Sequence, residues 1–141
     1  MDALDADALA AGTLLLVDTA PIIYTLEGHA RFAARYERLF ARHAEGDLVL
    51  AITTVTIAEV LTGPLRAGEE ALAKRYRAVL GAWQVVALDV DIAESAARLR
   101  ARHGLKLPDA IQFASALAIG AHALVTHDRD FSRLRGLAVL T

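Results

Sequence analysis

The sequence predicts a three-layer α/β/α sandwich with a central, mainly parallel sheet of four to five strands. Three observations lead to this fold class: the apolar runs are short, they contain no charged residue, and helical patterns separate them. Short continuous apolar runs are typical of strands that are buried on both faces of a sheet. Helices between such strands supply the crossover connections that parallel pairing requires.

The predicted strands are apolar segments that end at polar or turn-forming residues. The first is "LLLV", which stops at Asp18 and Thr19, and it is typical of a strand with both faces covered. A strand that is buried on both faces does not alternate apolar and polar residues, so it is recognised by its length and by the residues that flank it. The five predicted strands are residues 14–17, 48–53, 83–88, 123–126 and 137–140.

Helices are predicted in the intervals between these strands. Pro21 and Pro108 are placed to open helices, because the first turn needs no backbone N–H from the proline. Breaks are expected at Gly63, Pro64 and Gly68, since glycine and proline interrupt helical patterns. The predicted helices are residues 21–28, 30–45, 56–65, 69–80, 91–103 and 108–120.

The chain is expected to form a single domain over residues 13–141, after an N-terminal extension at 1–12 that has no assigned role. No apolar run approaches the roughly 18 to 20 residues that cross a membrane. The first twelve residues contain three aspartates and no basic segment, unlike a signal peptide. A cytoplasmic protein without a membrane association is therefore expected.

Composition limits the chemistry that the chain can perform. The sequence has no cysteine, which excludes disulfides, thiolate zinc sites and thiol nucleophiles. A net charge of −2 gives no overall basic character, so nucleic-acid binding would need a local basic surface. The hydrophobic fraction of 55% indicates extensive burial, in both faces of a sheet or at an oligomer interface.

Four acidic residues stand at element boundaries, and each has an ordinary structural explanation. Asp18 follows the first strand and is placed to cap the next helix. Glu59 comes three residues after Thr56, which is the spacing of a capping box. Asp109 lies in the first turn of a helix, where the dipole favours negative charge. Asp128 is placed to form a turn between a strand and the following segment.

The same four acids also have a joint interpretation. Residues that follow the strands of a doubly wound sheet converge at its carboxyl edge, so these carboxylates are expected to meet in one cleft. Carboxylates at such short distances repel one another unless a cation neutralises them. A site made of oxygen ligands suits Mg²⁺ or Mn²⁺. Such ions activate water and stabilise the leaving oxygen of a phosphodiester. The pattern therefore favours a metal-dependent nuclease.

Three blocks of sequence resemble the PIN domain, most closely the VapC-type ribonuclease toxins of prokaryotic type II toxin–antitoxin pairs. The blocks are "LLLVDTAPIIYTLEG", "ITTVTIAEVLTGPLR" and "LKLPDAIQFASALAIGAHALVTHDRDF", and they span nearly the whole chain in the family's order. The resemblance implies a PIN-like fold and an endoribonuclease that uses Mg²⁺ or Mn²⁺ to cleave RNA. It also implies a homodimer and a cognate antitoxin protein that covers the cleft.

The resemblance further assigns roles to single residues. It places Asp18, Glu59, Asp109 and Asp128 at the family's metal-binding and catalytic acids. Thr126 matches the hydroxyl residue that positions the first aspartate. Two other residues in the last block matter: Asp130 is a weaker candidate that assists the metal or caps the next segment, and His127 replaces the family's frequent asparagine, which bears on metal preference or pH dependence.

A run of arginines is the candidate for RNA binding outside the cleft. The arginines recur at three- and four-residue spacing and form either a solvated helix face or a stripe that contacts phosphates. Tyr24 and Trp83 are candidates for stacking on bases, although Trp83 begins a predicted strand and is expected to pack. The arginines of this predicted stripe are Arg31, Arg35, Arg38 and Arg42.

Other functional classes remain as alternatives. A non-catalytic PIN-like module that binds RNA or protein would have the same fold, but it would not need acids at all four positions. A phosphatase of the haloacid dehalogenase type requires a second aspartate two residues after Asp18, where Ala20 stands. A phospho-receiver domain requires paired acids and a lysine in a pattern that the sequence lacks.

Overall fold

The fold is given by a computed structural model, which describes residues 2–141 except the side chains of 132 and 133. The strands are β1 (Leu14–Val17), β2 (Val49–Thr53), β3 (Gln84–Val86), β4 (Ala123–Val125) and β5 (Ala138–Leu140). They form one sheet in the order β3-β2-β1-β4-β5, and every pairing is parallel. The predicted α/β fold with a central parallel sheet is confirmed.

The helices connect the strands in the predicted order, although several of their ends differ from the prediction: the second helix begins at Ala33 and not at residue 30, so that Arg31 precedes it. The helices are α1 (Thr19–Glu27), α2 (Ala33–Ala44), α3 (Thr54–Arg66), α4 (Glu70–Gly81), α5 (Val90–His103) and α6 (Leu107–Ala118). The break expected at Gly63 and Pro64 does not occur, because α3 continues through Pro64 to Arg66. The chain turns instead at Gly68, where a positive φ of 74° suits glycine. None of the helices that the structure describes is long and apolar enough to span a membrane.

Helices cover both faces of the sheet, which explains the apolar runs of the strands. Leu16 of β1 belongs to a core cluster with Ala110 and Phe113 of α6, on the face that α5 and α6 cover. Its neighbours Leu15 and Val17 belong to a second cluster on the opposite face, with residues of α1 and α2. Successive side chains of a strand point to opposite faces, so β1 is apolar throughout.

Parallel pairing brings the carboxyl ends of β1 and β4 to the same edge of the sheet. The backbone N–H of Asp18 donates to the carbonyl of Val125 at 2.8 Å, and that of Thr126 donates to Leu140 at 2.9 Å. The ladder therefore extends one residue beyond each assigned strand. Because of this, Asp18 and Thr126 are held side by side where the strands end.

The N-terminal segment packs on the domain. Asp2 exchanges backbone hydrogen bonds with Val139 and Thr141, both at 3.0 Å, beside β5. Further along, the guanidinium of Arg42 donates to the carbonyl oxygens of Ala6 at 2.5 Å and Leu9 at 2.7 Å. The segment is thus tied to the last strand at one point and to α2 at another.

Candidate active site

The structure brings the four predicted acids together in one cleft at the carboxyl edge of the sheet. Asp18 follows β1, Glu59 lies on α3, Asp109 begins α6 and Asp128 follows β4. The cleft has a volume of about 270 Å³. It is lined by Asp18, Thr19, Ala20, Ile23, Glu59, Pro108, Asp109 and Asp128.

Asp18 is both a helix cap and a cleft acid, so its two interpretations hold together. Its Oδ1 accepts hydrogen bonds from the backbone N–H of Thr19 at 2.8 Å and from Nε2 of Gln112 at 3.0 Å. Its Oδ2 accepts from the hydroxyl of Thr126 at 2.8 Å, which is the contact that the family resemblance implied. Three donors from three elements fix this carboxylate.

Glu59 is not part of a capping box. The N-cap of α3 is Thr53, whose hydroxyl accepts from the backbone N–H of Thr56 at 3.1 Å, so Glu59 lies in the second turn. Its Oε1 instead accepts from the hydroxyl of Thr19 at 2.8 Å. The side chain is therefore turned across to the first turn of α1 and into the cleft.

Asp109 lies in the first turn of α6, as predicted, and the N-cap of this helix is Lys106, which makes no side-chain cap hydrogen bond. Burial raises the pKa of the Asp109 carboxyl to about 6, and the nearby charges of Asp18 and Asp128 contribute in the same direction. Within the part of the chain that is described, no hydrogen bond holds this carboxylate. Its negative charge is therefore poorly compensated by the protein.

Asp128 forms the predicted turn. Its Oδ1 accepts from the backbone N–H of Asp130 at 2.8 Å, which starts the 3₁₀ turn Arg129–Arg133. Its own backbone N–H donates to the hydroxyl of Thr126 at 3.0 Å. Asp130 is exposed and stands outside the cleft lining, although its charge contributes to the raised pKa of Asp109.

A buried polar network behind the cleft was not predicted from the sequence. Its members are Thr19, Thr53, Thr56 and Gln112. The hydroxyl of Thr53 donates to Oε1 of Gln112 at 2.8 Å, and Nε2 of Gln112 donates to the hydroxyl of Thr56 at 2.8 Å. Thr19 and Thr56 share a hydrogen bond of 2.9 Å, and Thr56 must be its donor because the Thr19 hydroxyl donates to Glu59.

The direction of these hydrogen bonds has a chemical meaning. Each hydroxyl or amide of the network donates a hydrogen bond to the next group toward the cleft. The last acceptors are the carboxylates of Asp18 and Glu59. The network therefore supplies hydrogen-bond donors to both of these carboxyl groups. The sequence signal for Gln112 was present, since a lone amide in an apolar helix three residues after Asp109 lies on the same helix face.

The predicted arginine stripe is not one surface. Arg42 is 6% exposed and bonds to Asp47 and to two backbone carbonyls, so it is structural. Arg38 pairs with Asp7 at 2.6 Å. Only Arg31 and Arg35 lie over an aromatic ring, that of Phe32. The stripe divides because the N-terminal segment packs against the later turns of α2.

The aromatic candidates Trp83 and Tyr24 lie in different surroundings, and His127 contacts Tyr24. Trp83 packs against Phe40 and His43, with ring centroids 5.4 and 5.1 Å away, as expected for a packing residue. Tyr24 lies near the cleft, and its hydroxyl is 3.0 Å from Nδ1 of His127. His127 is therefore directed toward Tyr24 and is not among the residues that line the cleft.

The donor set of the cleft fits a hard divalent cation. All four predicted ligands are carboxylates, and the charges of Asp18 and Asp128 add to the effect of burial in raising the pKa of Asp109. Among residues 2–141, however, no three Asp, Glu or His side chains are arranged to hold one ion together. Mg²⁺ usually binds through one or two carboxylates and keeps several waters, so a shared cleft without full coordination suits it.

The match to a known family is broad. The family model of the PIN domain matches residues 15–137. Because that match spans most of the chain, the chain belongs to the PIN-domain family. The solved structures that are similar to the chain include a toxin–antitoxin complex.

Three solved structures illustrate this similarity. A toxin–antitoxin complex from Klebsiella pneumoniae is 30% identical with a TM-score of 0.71, over 90% of this chain and 96% of that chain. VapBC2 from Rickettsia felis, bound to a promoter DNA fragment, is 18% identical with a TM-score of 0.72, over 90% and 97%. VapC20 from Mycobacterium tuberculosis, a sarcin–ricin loop cleaving toxin, is 22% identical with a TM-score of 0.67, over 84% and 92%. The last two show the fold alone, and no curated protein matches the chain.

Proposed function

We propose that the chain is a metal-dependent endoribonuclease and the toxin of a type II toxin–antitoxin pair. One observation carries the proposal: four carboxylates line a single cleft at the carboxyl edge of the sheet in a PIN domain. That edge is where parallel α/β sheets bind their ligands. The similar VapC20 is named as a toxin that cleaves the sarcin–ricin loop, which supports RNA as the substrate class.

Each acid has a distinct part in this mechanism. Asp18 and Glu59 present fixed carboxylates, because hydroxyl and amide donors hold their oxygens. Asp109 and Asp128 add negative charge to the same cleft. Mg²⁺ or Mn²⁺ bound in the cleft through one or two of these carboxylates, with waters completing its coordination, would activate water and neutralise the leaving oxygen of the phosphodiester. The chain itself contributes orientation, since the first two carboxylates do not need to reorganise when substrate binds.

The test is cleavage of total cellular RNA by the purified chain with Mg²⁺, Mn²⁺ or EDTA, beside Asp109→Asn. We expect discrete fragments that require metal and disappear in the variant. Asp91→Asn is the matched control, because Asp91 is an exposed aspartate in the first turn of α5 and is not among the residues that line the cleft. Cleavage that persists in EDTA or in Asp109→Asn would refute the assignment of the site.

A non-catalytic PIN-like binding module is the competing outcome. Titration of Mn²⁺ into the purified chain separates the two, because a nuclease site must bind the ion. Saturable Mn²⁺ binding that Asp109→Asn weakens, together with RNA cleavage, supports the nuclease. RNA binding without either property would establish the module instead.

The proposal includes two protein partners. An antitoxin is supported by the Klebsiella pneumoniae relative, which is a toxin–antitoxin complex. It would inhibit RNA cleavage when added in equimolar amount. A homodimer is supported by apolar side chains that α5 and α6 expose, including Val90 at 83% and Leu117 at 44% exposure. Light scattering would then give twice the chain mass of 15.1 kDa.

A further inference from the structure

Four aromatic rings form a cluster on the surface beside the cleft. The rings belong to Tyr24, His29, Phe32 and His127, and we call them the aromatic cluster. The ring of Phe32 is central: its centroid is 4.5 Å from that of His127, 5.0 Å from that of His29 and 5.0 Å from that of Tyr24. Residues from α1, from the segment after it and from the end of β4 thus meet in one place.

The aromatic cluster lies at the surface, with Tyr24 packed against the edge of the hydrophobic core. His29 is exposed and the other three residues are half-buried. The ring pair Phe113 and Phe131 in the core is by contrast fully buried, with 0% exposure for both. Surface rings with polar edges are typical of sites that present one apolar face to a ligand.

Hydrogen bonds hold the outer rings of the cluster in place. Nδ1 of His29 accepts from the backbone N–H groups of Arg31 at 3.1 Å and Phe32 at 3.2 Å. This fixes the exposed imidazole, which stacks on Phe32 at an interplanar angle of 23°. Nδ1 of His127 is similarly held at 3.0 Å from the Tyr24 hydroxyl. A platform that is ordered in advance loses little conformational entropy when a ligand stacks on it.

Positive charge lies on the same surface. The guanidinium carbons of Arg31 and Arg35 are 5.1 and 6.0 Å from the centre of the Phe32 ring, and both residues are exposed. The later arginines of α2 are committed to acids of the chain, Arg38 to Asp7 and Arg42 to Asp47. Arg31 and Arg35, which lie beside the aromatic cluster, are therefore the arginines of the predicted stripe that are placed to contact an anionic ligand.

The aromatic cluster adjoins the cleft through the chain itself. His127 stands between Thr126, which bonds to Asp18, and Asp128, which lines the cleft. Tyr24 follows Ile23, another residue of the cleft lining. Neighbouring Cα atoms are about 3.8 Å apart, so the cluster begins within one residue of the cleft lining at two points.

We propose that the aromatic cluster is a subsite that stacks an unpaired RNA base next to the phosphate in the cleft, while Arg31 and Arg35 contact flanking phosphates. Aromatic side chains stack on bases of single strands, and arginine adds to that attraction. A base that is paired in a duplex is not free to stack on these rings, so the subsite requires the base to be unpaired. The inference rests on the proposed ribonuclease function and assigns a base-binding subsite to it.

The test is binding of a fluorescent single-stranded RNA, and of the same strand in a duplex, measured by anisotropy in EDTA so that cleavage does not interfere. We expect the single strand to bind at least about tenfold more tightly than the duplex. His29→Ala should weaken single-strand binding by about tenfold, which is the order of one base–aromatic stack. The thermal unfolding of each variant establishes that it is folded.

Charge is tested separately from stacking. In Arg31→Gln/Arg35→Gln, the slope of log K against log salt concentration should fall by about 1.4, because each phosphate contact on a single strand contributes about 0.7. Arg77→Gln is the matched control, since Arg77 is an exposed arginine on α4. A merely structural role of the two arginines would not change this slope.

The outcomes distinguish this inference from the proposed function. Variants that bind RNA like the wild type, equal binding of duplex and single strand, or a wild type that binds no RNA would each overturn the subsite. If metal-dependent cleavage persisted unchanged in those variants, the nuclease would stand without the subsite. If the variants lost binding but no metal supported cleavage in the wild type, the subsite would stand and the nuclease would fail.

Discussion

The acids of the cleft differ in how the protein compensates their negative charge. Asp18 and Glu59 accept hydrogen bonds from Thr19, Gln112 and Thr126. By contrast, no described group donates a hydrogen bond to the carboxylate of Asp109, and burial, together with the charges of Asp18 and Asp128, raises its pKa to about 6. The fold therefore fixes the carboxylates of Asp18 and Glu59 with its own donors and leaves that of Asp109 without one. A cation in the cleft, as proposed above, would supply the compensating charge for Asp109.

The largest effect is expected at Asp18, whose carboxylate the fold holds with hydrogen bonds. Asp18→Asn retains the shape of the residue but removes the charge on which three donors converge, so we expect kcat/KM for RNA cleavage to fall by roughly 10³-fold or more. Single-turnover cleavage of a defined RNA would measure it. Equal activity in Asp18→Asn and in the wild type would mean that the donors serve only the helix cap.

Gln112 tests whether the donors matter for activity. Gln112→Leu removes a donor to Asp18 and leaves the buried hydroxyl of Thr53 without its acceptor. Loss of a group that supports a metal ligand typically lowers metal affinity or activity about 10- to 100-fold, and the unpaired hydroxyl costs about 1–3 kcal/mol in unfolding free energy. Mn²⁺ titration and urea unfolding measure the two effects. A variant with reduced stability but unchanged metal affinity would limit Gln112 to a structural role.

Binding of a cation in the cleft should stabilise the folded protein, and this stabilisation should depend on Asp109. At about 100 times its dissociation constant a ligand stabilises the folded state by about 2.7 kcal/mol, so saturating Mn²⁺ should raise the melting temperature of the wild type by roughly 5–10 °C. Asp109→Asn should lose most of this shift, and the control Asp91→Asn should retain it. Calorimetry with and without EDTA provides the measurement, and a shift of equal size in all three proteins would place the ion elsewhere.

The smallest effect is the pH dependence of the metal-free protein. Asp109 ionises at about pH 6 in the folded chain and near 3.8 in the unfolded chain, so the folded state holds its proton more tightly. Its contribution to stability is therefore fully present below about pH 4 and declines as the pH rises through about 6. Asp109→Asn lacks this decline. Allowing for solvent screening, the variant should gain on the order of 1 kcal/mol above about pH 7, or about 3 °C in melting temperature, and nothing at about pH 4.

Much of the fold followed from the sequence because buried parallel strands have a simple signature. The predicted β1 at residues 14–17 agrees with the structure, and the acids after β1 and β4 meet because parallel strands end at one edge. The cleft could therefore be located from four residues and a strand rule. The roles of those residues in catalysis stay predictions.

Features that depend on contacts between distant segments were not accessible in this way. The burial of Arg42 requires the carbonyls of Ala6 and Leu9, which a helical periodicity cannot include. The network at Gln112 joins α6 to α3 and α1, and a single amide in an apolar helix does not specify its partners. Local sequence patterns predicted the helices and strands. Tertiary packing decides which polar side chains are bound to other groups of the chain, and local patterns do not show this.

The side-chain amide of Gln112 gives the cleft a built-in spectroscopic probe. It is 1% exposed, and its Nε2 group donates to a carboxylate at Asp18 and to a hydroxyl at Thr56. Two unlike acceptors should separate the two amide proton resonances, and burial should slow their exchange with water. A ¹⁵N-labelled sample would therefore report on the charge of Asp18 at a single resonance pair, without any label attached to the cleft.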